Sequence, residues 1–288
     1  MTLAEARKLL RENLKTSGAV NNIQEADMLL CRLLNIPRAS ILGYPEKILT
    51  AEESAALLKA LGRRASGEPL QYVLGEAHFW GLTFEVGEGV LIPRPETELL
   101  VETALASLPL SSPSLFLDWG AGCGCAAAAL LLERPLAWAV LAEKNPLSLR
   151  WAWRNLKRHG LLGRALLWHS REPGDIPVEK NSLALVVSNP PYIPTGEISD
   201  LMREVRDHEP HLALDGGPDG LDCYQALFRF APLWLKAGGF LTVEIGGAFQ
   251  VERLRLLAPP SLYLMKEVPD YADIPRCMAW RTSPSSLS

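Results

Sequence analysis

The 288-residue chain has no stretch of about 18 uninterrupted apolar residues, so no membrane-spanning helix is expected. Its opening, MTLAEARKLLRENL, is charged and holds no apolar run long enough for a signal peptide, and a cytoplasmic protein is expected. Cysteine is scarce, odd in number and scattered: Cys31, Cys123, Cys125, Cys223 and Cys277 form no disulfide framework, and a reducing compartment fits them best. The Cys123/Cys125 pair has no second pair and no histidine nearby, and the five histidines show no ligand spacing, so no metal site is expected. An excess of positive charge is also missing. Residues 1–75 carry 10 Lys+Arg against 8 Asp+Glu, a net +2, and the remainder is −6, giving −4 overall. That balance argues against stable electrostatic binding of nucleic acid. No internal repeat occurs, and only the tail SPSSLS is low in complexity, where fraying is expected.

What is present is core-forming. Hydrophobic residues make up 48% of the chain and charged residues 22%, which allows one large domain or two. Over residues 2–65 the leucines and alanines recur at helical spacing, as in Leu3, Ala6, Leu10 and Leu14, then Ala26, Leu29, Leu30 and Leu33. Turn signals at Ser17-Gly18, Pro37 and Gly43-Tyr44-Pro45 divide them, and Thr50 to Glu53 has the form of a capping box. Residues 67–98 break into short apolar runs punctuated by glycine, which predicts a hairpin or extended linker, followed by a helix around Glu96–Leu108.

From Leu115 onward strands and helices alternate. Strands are predicted at Leu115–Asp118, Trp138–Ala142, Ala165–Trp168, Leu183–Val187 and Phe240–Ile245. Helices are predicted at Cys125–Glu133, Pro146–His159, Leu221–Lys236 and Gln250–Leu257, with a closing strand pair at Tyr263–Val268 and Cys277–Arg281. The expected fold is α/β: a doubly wound, mostly parallel sheet covered on both faces, with a small helical N-terminal domain.

Three features each end a predicted strand. The first is Asp118-Trp119-Gly120-Ala121-Gly122-Cys123-Gly124, whose alternate glycines let the backbone turn sharply and approach a ligand at a helix N-terminus. The second is Glu143, 19 residues after Gly124, which has two readings: an acceptor for both ribose hydroxyls of an adenosine, or a solvated helix cap before Asn145-Pro146. The third is the corner Asn189-Pro190-Pro191-Tyr192. Its prolines fix φ and remove two backbone donors while leaving stiffly held carbonyls. An Asn carboxamide oxygen beside a proline carbonyl gives two acceptors for a planar NH2 group, and Tyr192 offers a flat face. Delocalisation makes such a nitrogen a poor nucleophile. Two acceptors on its protons return electron density to it and aim it, so catalysis there is positioning and preorganisation. In an open α/β sheet all three features should line one crevice outside the strand ends.

The glycine turn, Glu143 and Asn189-Pro-Pro-Tyr192 together resemble class I S-adenosylmethionine-dependent methyltransferases that act on planar nitrogen. The stretches RRASGEPLQYVLGEAHFWGLTFEV, VLIPRPETELLVE, EVRDHEPHLALDGGPDGLDCYQ and GGFLTVEIGGAFQ narrow the resemblance, over about Arg63 to Trp280, to HemK-type (PrmC-like) release-factor glutamine methyltransferases. The resemblance implies a seven-stranded methyltransferase sheet, S-adenosylmethionine as cofactor, and the Gly-Gly-Gln glutamine of class 1 peptide chain release factors as substrate. It implies a helical substrate-recognition domain at 1–75, a hairpin or linker at 76–92 and the methyltransferase domain at 93–288. It assigns the cofactor to Asp118, Gly120, Ala121, Gly122, Cys123, Gly124, Glu143, Arg171 and Asn189, with Asn189, Pro190, Pro191 and Tyr192 holding the substrate amide. Asn189, Pro190 and Tyr192 are the expected catalytic set. The chain departs from the family at Ser170 and Arg171, which stand where an acidic and an aromatic residue are usual; a hydroxyl can still accept from an adenine amine and a guanidinium can stack on it. The alternative is an amino-methyltransferase acting on adenine or guanine in rRNA or DNA, because the same corner can hold a base. A methyltransferase-like binding module without activity is the third reading.

Overall fold

The computed structural model describes residues 1–19 and 21–283; of the tail SPSSLS expected to fray, residues 284–288 lie outside the described residues. The chain divides into two units, one of residues 1–76 with 202–208, the other of 77–201 with 209–288.

The first unit is helical: α1 (Leu3–Thr16), α2 (Asn22–Leu34), α3 (Arg38–Gly43), α4 (Ala51–Ala65) and the short α5 (Leu70–Leu74). Thr50 and Glu53 form the capping box, with Glu53 N–H donating to Thr50 Oγ1 at 3.0 Å and Thr50 N–H to the Glu53 carboxylate at 2.8 Å. Thr2 and Glu5 repeat it at α1. The apolar faces meet in one core around Leu3, Leu10, Leu14, Leu29, Leu30 and Leu57. Two charged groups are packed into it. Asp27, 3% exposed, accepts from Arg7 Nε at 2.7 Å and Arg38 Nε at 3.1 Å. Arg64 pairs with Glu25 at 2.7 Å and with Glu204 at 3.0 Å. A buried carboxylate is tolerated only with such partners.

A hairpin follows, β1 (Glu76–Phe79) and β2 (Leu82–Glu85), in the second unit from Ala77 on, then α6 (Thr97–Leu105). The α/β part follows: β3 (Ser114–Trp119), α7 (Cys125–Glu133), β4 (Ala137–Glu143), α8 (Pro146–Arg158), β5 (Ala165–His169) and β6 (Leu183–Ser188). After α9 (Arg203–His208), which belongs to the first unit, come α10 (Asp222–Trp234), β7 (Leu235–Glu244), α11 (Ala248–Leu257), β8 (Leu262–Pro269) and β9 (Pro275–Thr282). The seven strands β3 to β9 form one sheet in the order β5-β4-β3-β6-β7-β9-β8. The pairs from β5 through β7 are parallel, and β9 is antiparallel to both β7 and β8. One face packs an alanine- and leucine-rich core of α6, α7 and α8; the other packs Tyr224, Leu227, Phe228 and Trp280 with α10 and α11. Burial on both faces is why β6 reads LALVVS, every residue of it buried.

Two differences from the periodicity have physical causes. β7 begins at Leu235, not Phe240, and α10 ends two residues early at Trp234. The strand absorbs Gly238-Gly239 beside a register shift opposite Leu183/Leu185, so glycines that look like a loop lie in the sheet. The helices α5 and α9 are five and six residues long, too short to show a period.

Candidate active site

The order of strands reverses between β3 and β6, and a cavity of about 340 Å³ lies outside their carboxyl ends. The glycine turn, Glu143 and Asn189 all line it.

Gly120, Gly122 and Gly124 have φ of 76°, 55° and 78°, so each occupies the left-handed region that side chains disfavour. The turn is anchored by Gly120 N–H and Ala121 N–H donating to the Ala142 carbonyl at 2.8 and 3.2 Å. Among the described residues, a Cβ placed on Gly120 or Gly122 would meet nothing within 4 Å, so this backbone is bare. Gly124 serves a different purpose: its Cβ would press Ala152 at 3.3 Å, and it lets α7 pack against α8 without lining the cavity.

Asp118, 2% exposed, accepts from Ala127 N–H at 3.1 Å and so satisfies a free donor of the first turn of α7. Burial pushes its carboxyl up to about 7 against the one hydrogen bond that lowers it. Glu143 bridges two backbone segments, with Gly122 N–H on one oxygen at 2.9 Å and Asn145 N–H on the other at 2.7 Å. Each oxygen keeps a lone pair for a further donor. Burial raises this carboxyl too, and the backbone N–H groups oppose the shift.

Ser170, Arg171 and Glu172 form another part of the wall. Ser170 Oγ donates to the Glu172 carbonyl at 2.9 Å, which leaves its oxygen able to accept. Arg171 is exposed, its backbone N–H bound to Asp175.

At the corner, Ser188 Oγ donates to the Trp119 carbonyl at 2.6 Å, tying β6 to β3. Asn189 Nδ2 donates to Thr97 Oγ1 at 3.1 Å, which turns Oδ1 away from Thr97. Pro191 lines the cavity, as do Trp119 and Cys123. Pro190 is buried and Tyr192 half-buried, and neither belongs to the cavity wall. The Tyr192 ring sits against Gly246 and faces Glu244. The corner is clamped from behind by the Gly216–Gly220 loop. A Cβ on Gly216 would lie 2.8 Å from the Pro191 carbonyl oxygen, and one on Gly220 2.4 Å from that of Tyr192. Gln250, fully buried, donates to the Tyr192 and Gly220 carbonyls at 3.3 and 3.0 Å and accepts from Gly246 N–H at 2.7 Å.

Several residues of this site escape a reading of motifs. Arg94 lines the cavity and is held at 2.5 Å by Glu209, itself 4% exposed. Thr97, Pro210, Leu212, Ala213 and Cys223 complete the wall. The only signal for them was the run of family-like sequence around IPRPETE and DGGPDG.

The donor set fits S-adenosylmethionine. The bare turn at Gly120 and Gly122 leaves room for a ligand against the backbone, Glu143 and Asp118 offer carboxylates to hydroxyl and ammonium groups, and Ser170 offers an acceptor. Residues 5–75 match the family described as PrmC N-terminal domain, and residues 95–217 the methyltransferase small domain. A protein of Geobacter sulfurreducens called release factor glutamine methyltransferase is 42% identical over 245 residues, covering 83% of this chain and 84% of its own. One of the same description from Koribacter versatilis is 36% identical over 293 residues, covering 98% and 99%. Among solved structures, the hMettl16 catalytic domain bound to an RNA hairpin superposes with a TM-score of 0.54 at 14% identity, covering 82% of this chain and 85% of that one, a likeness of fold alone. A bare glycine turn, an acidic strand end and the Asn189 corner at one crevice, with identity of this extent along the whole chain, mean that it belongs to the release factor glutamine methyltransferase family.

Proposed function

We propose that this protein transfers a methyl group from S-adenosylmethionine to the side-chain amide nitrogen of the glutamine in the Gly-Gly-Gln motif of class 1 peptide chain release factors, acting in the cytoplasm. The observation that carries this reading is the state of Asn189. Its nitrogen is engaged by Thr97, at the edge of a cavity that it lines. Its oxygen is therefore the group left to accept from an incoming NH2.

S-adenosylmethionine supplies an electrophilic methyl group when bound. Gly120 to Gly122 would lie along its methionine part, Glu143 would accept from the ribose hydroxyls, and Ser170 and Arg171 would meet the adenine. Asn189 Oδ1 and the Pro190 carbonyl would accept the two protons of the glutamine NH2. That localises the nitrogen lone pair and fixes its direction, with no titrating base. Tyr192 supports the corner by filling the space between it and Gly246. Arg94, fixed by Glu209, places a cation in the cavity wall. Residues 1–75 would serve as the domain that recognises the release factor.

The test is transfer of labelled methyl from S-adenosylmethionine to a purified bacterial release factor, beside a variant with Gln→Ala in its Gly-Gly-Gln loop. Label on the wild-type factor alone is expected. Equal labelling of both factors, or labelling of neither by a protein that binds the cofactor, would overturn the reading.

A further inference from the structure

Glu244 ends β7 and is 2% exposed. It lies one residue past the last register pair of β6 with β7, Ser188 with Val243, so it is the neighbour of Asn189 across the sheet. One of its oxygens, Oε2, has no hydrogen-bond partner among the described residues. The hydroxyls of Thr97 and Tyr192 face the carboxyl and favour its charged form. Thr97 is itself buried and accepts from Asn189 Nδ2 at 3.1 Å. A buried carboxyl with an unmet oxygen is expensive.

We propose that Glu244 is a positioning residue which, through Thr97, decides which end of the Asn189 carboxamide faces the cavity. This role rests on the one proposed for Asn189, and a count of protons gives its direction. Thr97 has one hydroxyl proton. An ionised Glu244 only accepts, so it takes that proton's hydrogen bond; the Thr97 oxygen then accepts from the Asn189 NH2, and Oδ1 faces the cavity. A protonated Glu244 donates to the Thr97 oxygen. The Thr97 proton is then free to turn to Asn189, which favours Oδ1 toward Thr97 and the NH2 toward the cavity. An amide substrate brings donors, and donors facing donors repel. Ionised Glu244 is therefore the competent form.

The surroundings place this switch in a useful range. Burial pushes the Glu244 carboxyl up to about 7. Glu96, at the start of α6, adds to the rise, and Arg276 of β9 opposes it. The other titratable groups facing it are neutral near pH 7: Tyr192 from the corner, Tyr224 from α10 and Cys277 from β9 are all raised by burial.

The experiment is release-factor methylation by the full-length protein from mildly acidic to mildly alkaline pH, for wild type, Glu244→Gln, Thr97→Val and Thr97→Ser. The wild-type kcat should fall on the acid side with a midpoint near 7. Glu244→Gln, whose amide oxygen accepts without titrating, should lose that acid limb. Thr97→Val should lower kcat by about tenfold with the cofactor KM unchanged, the loss expected from one hydrogen bond, and Thr97→Ser should restore it. An acid limb that persists in Glu244→Gln, or full turnover by Thr97→Val, would overturn the proposal. A second readout needs neither substrate nor cofactor: the infrared band of the protonated Glu244 carboxyl, isolated by difference against Glu244→Gln, should titrate near neutrality and shift its midpoint in Thr97→Val. No shift refutes the coupling. If wild type labels no release factor, the proposed function fails, and the infrared titration still decides the link between Glu244 and Thr97.

Discussion

Glu143 holds Gly122 to Asn145: its two carboxylate oxygens accept from the backbone N–H groups of those residues at 2.9 and 2.7 Å. The end of β4 is thereby stitched to the glycine turn after β3. One side chain shapes the turn and presents its remaining lone pairs to the cavity.

Glu143→Gln should therefore weaken cofactor binding and also lower stability by about 1–3 kcal/mol, the cost of setting donor against donor. The amide keeps one acceptor and presents an NH2 to one of the two backbone donors. Loss of a charge-assisted hydrogen bond corresponds to roughly a ten- to hundredfold rise in Kd for S-adenosylmethionine. Isothermal titration calorimetry reads it directly, and an unchanged Kd would remove Glu143 from the binding site.

Asn189→Ala should separate binding from turnover. Removing an oriented acceptor at the reacting nitrogen is expected to lower kcat about a hundredfold or more, while the cofactor still binds. Turnover on a release factor beside calorimetric binding of S-adenosylmethionine distinguishes this from a general failure to fold.

Asp118 makes stability depend on pH. Its carboxyl titrates at about 7 in the folded protein against an ordinary value of 3.8. Between these values the folded chain binds a proton that the unfolded chain has released, so this contribution to stability is lost as pH rises through about 7. Asp118→Asn should melt higher than wild type above neutrality, by on the order of a few kcal/mol. The gap should close as pH falls toward 4, which calorimetric melting across that range would show.

Gly220→Ala should damage the corner without touching the cavity. Its φ is +74°, and the new Cβ would stand 2.4 Å from the Tyr192 carbonyl oxygen. A cost of about 1–3 kcal/mol from strain and displaced backbone is expected, read as a lowered denaturation midpoint together with lost turnover. Gly120→Ala meets nothing within 4 Å, so it should fold with only the φ penalty of about 1–2 kcal/mol and show its larger effect in cofactor affinity.

The architecture was legible because it is written in local patterns. The capping box at Thr50, the helical spacing of the N-terminal leucines and the fully apolar LALVVS strand each specify one element from neighbouring residues. The glycine turn, Glu143 and the Asn-Pro-Pro-Tyr corner were legible because their residue types imply backbone geometry and hydrogen-bonding capacity wherever they stand. Their meeting at one crevice follows from a parallel sheet whose strand ends share an edge.

Tertiary structure alone decided the rest. Thr97 and Glu244 lie 147 positions apart and mean nothing until α6 and β7 bring both to the end of β6. Gly216 and Gly220 lie in the stretch DGGPDG, and only the fold shows that their missing side chains are what lets that loop close on Pro191 and Tyr192. Gly124 reads as one of the alternate glycines of a ligand-facing turn, and in the fold it packs against Ala152 of α8. Periodicity reports which face of an element is buried, because burial repeats with the element's own geometry. It carries no record of which distant group completes a hydrogen bond, since that depends on the approach of backbones that only the whole fold sets.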